Sequence, residues 1–276
     1  MRIKPADSDL KCLFIYNRSL PSAENYAAIE TVERDWIIPR IDALTEQTPP
    51  IDSRAQWIGA LDDLLARERA GSPAGHFLAE EATREQFAVV VREFALDGLT
   101  EAQNFFFAIP RLPIKAQMAL MRVLIDEFGC GNLQQAHSQL YVDLLAELGL
   151  PQDLDSFLDV TSDETFAFLN VFYWFTQRAP DMEYFLGALA YLEASIPDAF
   201  SVQARACERL GIEHGRYYSE HLHIDTFHRQ EMQRAIREYE AVHRLDPTKL
   251  WIGAQLLSDL IGTAFGTATE RARDAA

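Results

Sequence analysis

The chain has 276 residues, 48% of them apolar, and a formal net charge of −17 from 42 acidic against 25 basic residues. That is enough chain and enough apolar content to bury a sizeable core. A surface so negative repels phosphate backbones and anionic membranes, which argues against nucleic acid and membrane surfaces as partners but selects no other. The longest apolar run, Phe166–Phe175, is about half the ~20 residues a membrane-spanning helix needs and is interrupted by Asn170. The first residues, MRIKPADSD, lack the apolar stretch and cleavage site of a secretory signal, so a cytoplasmic address is expected. Cys12, Cys130 and Cys207 are odd in number, far apart and outside any CxxC pair, which reads as reduced, structural thiols.

Helical spacing recurs throughout, while period-2 alternation with Asn-Gly or Asp-Gly turns is missing. Ser22, with Asn25 three residues later, opens a predicted helix to about Thr48 that carries Ile29, Val32, Trp36 and Ile37 on one face. A second helix, from Ser53 to Ala70, repeats the pattern with Trp57, Leu61, Leu64 and Leu65. These two form an expected N-terminal helical extension, residues 1–75, closed by the Gly71–Gly75 stretch. Proline and glycine then mark off helices over roughly 78–97, 99–109, 114–128, 132–148, 162–177, 181–195, 198–210, 212–243 and 248–271. No repeat of 20–50 residues is visible. The fold class is all-α, a helical bundle over residues 76–276 behind the extension.

The sharpest chemical feature is HLHIDTFH, with His221, Asp225 and His228. At 100° per residue Asp225 lies about 40° and His228 about 20° from His221, so the three share one stripe over two turns. Imidazole, carboxylate and imidazole in an inward column are what a metal site on a bundle helix requires, and these donors suit iron or manganese. The plainer reading is a solvated polar face; by composition about 0.03 matches to H-x3-[DE]-x2-H are expected by chance. His223 falls on another face, and His214 extends the stripe backwards.

The second feature is LIDEFGCGNLQQAHSQLYVDLLAELGL, holding Glu127 and His137. Read singly, Glu127 is an ordinary helix-end acid and His137 a core histidine. Together, the pattern E-x-G-x-G-x5-H-S-x-L, the LGLP that follows it and the late H-x3-D-x2-H resemble the haem-oxygenase-like dimetal oxidases, also called iron-containing redox enzymes. The resemblance covers roughly residues 76–270. It implies a haem-oxygenase-like bundle without haem, holding two Fe(II) ions between helices, with O2 as co-substrate.

What the resemblance implies for this chain can be carried over residue by residue. His221, Asp225 and His228 match the last-helix triad, His137 matches the earlier histidine, and Glu127 matches a carboxylate often found before it. A further family glutamate, three residues before that histidine, is replaced here by Gln134, a poor iron ligand. Glu101 best matches the first-helix ligand, with Glu93 as its rival, and Glu193 matches a carboxylate after an almost uncharged run; read alone, Glu193 is a helix-end acid facing water. Glu101, Glu127, Glu193 and Asp225 bring −4 against the +4 of two Fe(II), which leaves a buried cluster close to neutral.

The implied activity is oxidation of a small amino-acid-like substrate, by N-oxygenation or by C–H abstraction leading to desaturation or C–C cleavage, in natural-product biosynthesis. The alternatives are a fatty-acid oxidative decarboxylase of the same family and a non-redox, thiaminase-like binding protein. Relatives suggest a homodimer. Phe105–Phe107 and the run Phe166–Phe175 read either as core or as a pocket wall. Arg111, Lys115 and Arg178 read either as surface residues or as anchors for a substrate carboxylate.

Overall fold

The computed structural model describes residues 3, 4 and 6–275, and among them every regular element is helical. The N-terminal part contains α1 (Asp9–Asn17), α2 (Ala23–Trp36), α3 (Ile38–Gln47) and α4 (Arg54–Arg69). Helix α1 escaped the sequence reading; it starts at Ser8, whose hydroxyl accepts from the Lys11 N–H. Ser22 and Ser53 cap α2 and α4 in the same way, through the N–H groups of Asn25 and Gln56. The single helix expected from Ser22 to Thr48 breaks at Ile37, because Pro39 has no N–H to continue the ladder.

The bundle follows. Helix α5 (Pro73–His76) runs into a π-turn, Phe77–Glu81, and α6 (Arg84–Glu93) opens on a capping box of Thr83 and Gln86. Helix α7 (Ala95–Thr100), a 3₁₀ segment Gln103–Arg111 and α8 (Ile114–Glu127) come next. Then follow α9 (His137–Glu147), α10 (Asp163–Tyr173) with its π-turn Trp174–Arg178, α11 (Glu183–Leu210), α12 (Arg216–Glu240) and α13 (Pro247–Asp274). Several boundaries differ from expectation: the segment 78–97 divides into the π-turn, α6 and the start of α7, 99–109 is mainly 3₁₀, and the helix expected from 132 begins at His137. Pro197 lies inside α11 rather than ending it, so the segments 181–195 and 198–210 are one helix. Helix α12 starts only at Arg216, which puts exposed His214 in the preceding turn and off the metal-facing stripe.

Helix α11 packs against both α12 and α13. Its contact with α13 is backbone on backbone: a Cβ on Gly187 would sit 1.9 Å from the Leu250 carbonyl oxygen, and one on Gly253 would sit 2.0 Å from that of Tyr184. The ten residues Phe166–Phe175 are all buried and form core. The N-terminal helices join this core, with Leu13, Phe14 and Trp57 fully buried in the same cluster. Polar ties reinforce the seam: Asn170 donates to the Leu10 carbonyl, and Arg178 forms a buried ion pair with Glu33 on α2.

Candidate metal centre

Five helices converge on one interior point. Glu101 ends α7 and is followed by Ala102 in the left-handed region, at φ 59°. The approach of α7 depends on Gly98, where a Cβ would lie 2.4 Å from the ring of Tyr141 on α9. Glu127 is the last residue of α8 and His137 the first of α9. The chain between them doubles back through Gly129, at φ 59°, where a Cβ would lie 2.5 Å from the Ala136 nitrogen. That fold-back brings His137 Nδ1 to 2.7 Å from Glu127 Oε2. Glu193 comes from the middle of α11, and α12 supplies His221, Asp225 and His228, each at most 1% exposed.

The donors divide into two groups with one shared member. Glu101, Glu127, His137 and His221 offer ligand atoms all within 4.8 Å of one another, and so do Glu127, Asp225 and His228. Glu193 joins the second group, its Oε2 lying 3.1 Å from His228 Nδ1. The seven residues singled out in the sequence therefore meet in one cluster. Glu93 does not reach it: its carboxylate accepts from the Ser162 N–H and Thr165 hydroxyl and pairs with Arg271, tying α6 to α10 and α13. Gln134 is exposed in the α8–α9 connection, where its N–H donates to Asn132, and Glu127 occupies the place beside His137.

The buried polar atoms of the cluster are conspicuously unsatisfied. Glu101 Oε2, Glu127 Oε2, His137 Nδ1, both Asp225 oxygens and His228 Nε2 have no hydrogen-bond partner. His137 Nδ1 and Glu127 Oε2 are close enough to bond but not aligned for it. Leaving such groups unmet in the interior costs about 1–3 kcal/mol each, more where charged. A cation in their midst would satisfy them together, so the donor set fits the group that the resemblance implies.

The cluster's charges hold protons in the absence of a cation. Burial depresses the His221 imidazole, but the charge and hydrogen bond of Glu101, with Asp225 and Glu127, outweigh it and lift its pKa to about 10. Burial likewise acts against the charged His228, and Glu193, Asp225 and Glu127 raise it to about 11. Burial raises Glu193 to about 7 despite His228. In Glu127 burial is overcome by His137, His221 and His228, which hold the carboxyl at about 2. Protons on imidazoles thus stand where metal charge would stand, and binding a cation must displace them.

Several neighbours were missed by sequence reasoning. The hydroxyl of Tyr217 donates to Glu101 Oε1 at 3.1 Å, and its carbonyl oxygen lies 2.6 Å from His221 Nδ1. Tyr217 is one turn before His221 on the same stripe, a signal visible in the sequence but shared by every buried helix position. Phe200 packs edge-on to His221, with ring centroids 5.0 Å apart. Half-buried Asp97 stands one turn before Glu101, and burial together with the Glu101 charge raises it to about 8. The proposed carboxylate anchors are engaged elsewhere: Arg178 with Glu33, and Arg111 with the carbonyls of Phe175, Thr176 and Ala179. Lys115 is exposed beside Glu238.

A cavity of ≈650 Å³ lies beside the cluster, between α11 and α12. Glu193 and Asp225 lie on its lining with Pro197, Thr226, Gln230 and Gln233, and Arg69, Arg229 and Arg237 line it as well. Pro197 cannot donate to the carbonyl of Glu193 one turn back, which leaves that carbonyl without its helical partner beside the cavity. None of the aromatic residues at 105–107 or 166–175 lines this cavity.

An all-α bundle with histidine and carboxylate clusters of an iron-binding kind defines a class, and comparison with known proteins gives the family. Residues 88–262 match the model of the iron-containing redox enzymes, and the chain belongs to that family. It is 28% identical over 206 residues to a nitrosourea synthase from Streptomyces achromogenes subsp. streptozoticus, a match covering 72% of this chain. The match takes in 43% of that relative's length. A domain of unknown function with a haem oxygenase-like fold from Shewanella denitrificans OS217 superposes with a TM-score of 0.50 at 16% identity, over 77% of this chain and 94% of that one. The fold is thus haem-oxygenase-like. Among the described residues no helix is long and apolar enough to cross a membrane.

Proposed function

We propose that the chain is an O2-dependent non-haem diiron oxidase acting on a small amino-acid-like substrate in natural-product biosynthesis. The observation that carries this reading is the pair of donor groups sharing Glu127, each rich in unpartnered buried atoms. Glu101, His137 and His221 would hold one ion, Glu193, Asp225 and His228 the other, and Glu127 would lie between them. Bound there as Fe(II), the two ions would supply the electrons that activate O2 for N-oxygenation or C–H oxidation.

The protein's own residues set the conditions for that chemistry. Helices α7, α8, α9, α11 and α12 fix the donors in the interior, and Tyr217 holds Glu101 and His221 in register. The cavity between α11 and α12 is the side from which a substrate would approach Glu193 and Asp225. Arg69 and Arg229 on its lining are paired with Asp198 and Asp62. Arg237 has no carboxylate within ion-pair distance among the described residues, which suits it to receive a substrate carboxylate. The nitrosourea synthase relationship supports a place in natural-product chemistry.

The test is anaerobic loading with Fe(II), iron analysis, and mass-spectrometric screening of amino acids with O2. About two equivalents of iron are expected, with O2 consumed faster when the right substrate is present. Only trace iron retained after loading would overturn the reading.

A further inference from the structure

The last turn of α8 carries two acids in succession, Asp126 and Glu127, and both reach the same ring. Glu127 Oε1 lies 3.4 Å from His228 Nδ1, while Asp225 Oδ1 and Glu193 Oε2 lie 3.2 and 3.1 Å from that nitrogen. Three carboxylates around one nitrogen make Nδ1 the atom that His228 offers to the proposed metal position. Nε2 is turned to Asp126, whose Oδ2 lies 3.6 Å away. Neighbours on a helix stand about 100° apart, which lets consecutive acids address the two nitrogens of one imidazole.

A neutral imidazole that gives Nδ1 to a cation keeps its one proton on Nε2. That N–H then needs an acceptor, because His228 is 1% exposed and its Nε2 has no hydrogen-bond partner. His221 meets the same requirement with the opposite nitrogen, its Nδ1 lying 2.6 Å from the Tyr217 carbonyl oxygen. At His228 the group standing in that place is the Asp126 carboxylate. The gap of 3.6 Å is just beyond hydrogen-bonding range, and a small rotation of the short side chain closes it.

Asp126 is held from its outer side. The Cys130 thiol donates to its Oδ1 at 3.7 Å, and the Arg122 guanidinium donates to its Oδ2 at 3.4 Å. The acid's side chain is only 13% exposed, against 54% for Arg122. A solvated pair one helical turn apart would leave both partners in water; here the base caps an acid that is turned inward.

We infer that Asp126 is a positioning residue of the metal centre: its carboxylate accepts the Nε2–H of His228 and so holds Nδ1 on the ion. The inference rests on the diiron reading above and adds to it a residue outside the seven donors. A carboxylate behind a ligating imidazole fixes the tautomer and the ring orientation, and it makes the ligand more basic. A more basic ligand favours the more highly charged state of iron, so Asp126 lowers the reduction potential of the ion it serves.

Anaerobic Fe(II) titration and a redox titration of the loaded full chain test this. Asp126→Ala, which removes the acceptor, should weaken Fe(II) binding at one of the two positions by about 10–100-fold. Asp126→Asn keeps an accepting oxygen without the charge. It should recover most of that affinity and yet show a higher reduction potential than wild type. Holding the ring needs only an acceptor, whereas lowering the potential needs the charge, and a merely structural acid would show no such split. Arg122→Ala removes the outer pair alone and should leave the affinity within about 2-fold of wild type. Unchanged affinity in Asp126→Ala, an unchanged potential in Asp126→Asn, or an equal loss of affinity in Arg122→Ala would overturn the inference while a wild type with two irons kept the diiron reading standing. A wild-type chain that retains only trace iron would overturn both.

Discussion

The Nδ1 of His221 lies 2.6 Å from the carbonyl oxygen of Tyr217, one turn earlier on α12. A carbonyl can only accept, so Nδ1 carries the proton and Nε2 is left as the nitrogen that faces Glu101. The same tyrosine donates its hydroxyl to Glu101 Oε1, leaving Oε2 unpartnered toward the cluster. One residue therefore orients two of the proposed ligands.

Tyr217→Phe removes the hydroxyl while keeping the ring and the carbonyl. The metal-free fold should melt within a few degrees of wild type, because the ring fills the same space. Fe(II) affinity at one of two positions should fall by about 10-fold, the usual consequence of freeing a ligand from its supporting hydrogen bond. An anaerobic Fe(II) titration measures this, and equal affinities would remove Tyr217 from the account.

Glu93 and Glu101 make a matched pair of opposites. Glu93→Gln should lose about 2 kcal/mol of stability, since it breaks a buried carboxylate away from Arg271, Ser162 and Thr165, yet iron stoichiometry should stay at two. Glu101→Gln should lower iron content toward one equivalent with little loss of metal-free stability. Chemical denaturation and iron analysis of the two variants read both quantities, and a swapped pattern would make Glu93 the ligand.

Those two residues also mark how far the sequence could be read. Helical spacing identifies α12 and the common stripe of His221, Asp225 and His228, because the 3.6-residue period is local. Deciding between Glu93 and Glu101 is not local: both are acids in apolar surroundings, and what separates them is Arg271, far along the chain on α13. The helix break at Ile37 and the continuity of α11 through Pro197 fail for related reasons. A proline in the first turn after a break starts a helix, and one in a helix packed on both sides is tolerated because tertiary contacts outweigh one lost hydrogen bond. Gly187 and Gly253 read only as weak helix positions until α11 and α13 are seen touching backbone to backbone.

The pH response follows from the imidazoles. Their pKa values in the metal-free fold, about 10 for His221 and about 11 for His228, lie above the ordinary value of 6.5. The folded state then binds protons that the unfolded chain gives up, so their stabilisation is complete below about pH 6.5 and is lost as pH rises toward 10–11. Glu193, raised to about 7 by burial, acts in the same direction between about 4.5 and 7. Metal-free protein should therefore melt at progressively lower temperature from pH 6.5 to 9, whereas iron-loaded protein, in which the cations replace those protons, should show a much flatter profile. Metal-free stability that climbs over this range would contradict the assigned cluster electrostatics.

Gly129 and Gly131 flank the same short connection between Glu127 and His137, and both sit at positive φ. Around Gly131 a Cβ would meet nothing within 4 Å, so Gly131→Ala should cost only the left-handed backbone penalty, about 1–2 kcal/mol, and leave iron binding intact. At Gly129 the same methyl would also lie 2.5 Å from the Ala136 nitrogen and the Gln135 carbonyl carbon, both backbone atoms that cannot swing away. Gly129→Ala must therefore push α9 off α8, widening the 2.7 Å approach of His137 to Glu127, the donor that both groups share. We expect Gly129→Ala to lose more than twice the stability lost by Gly131→Ala and most of its iron. Thermal melts and metal analysis of the two variants, prepared side by side, decide the matter. Equal iron content in both would mean that the fold-back at Gly129 does not hold the two donors together.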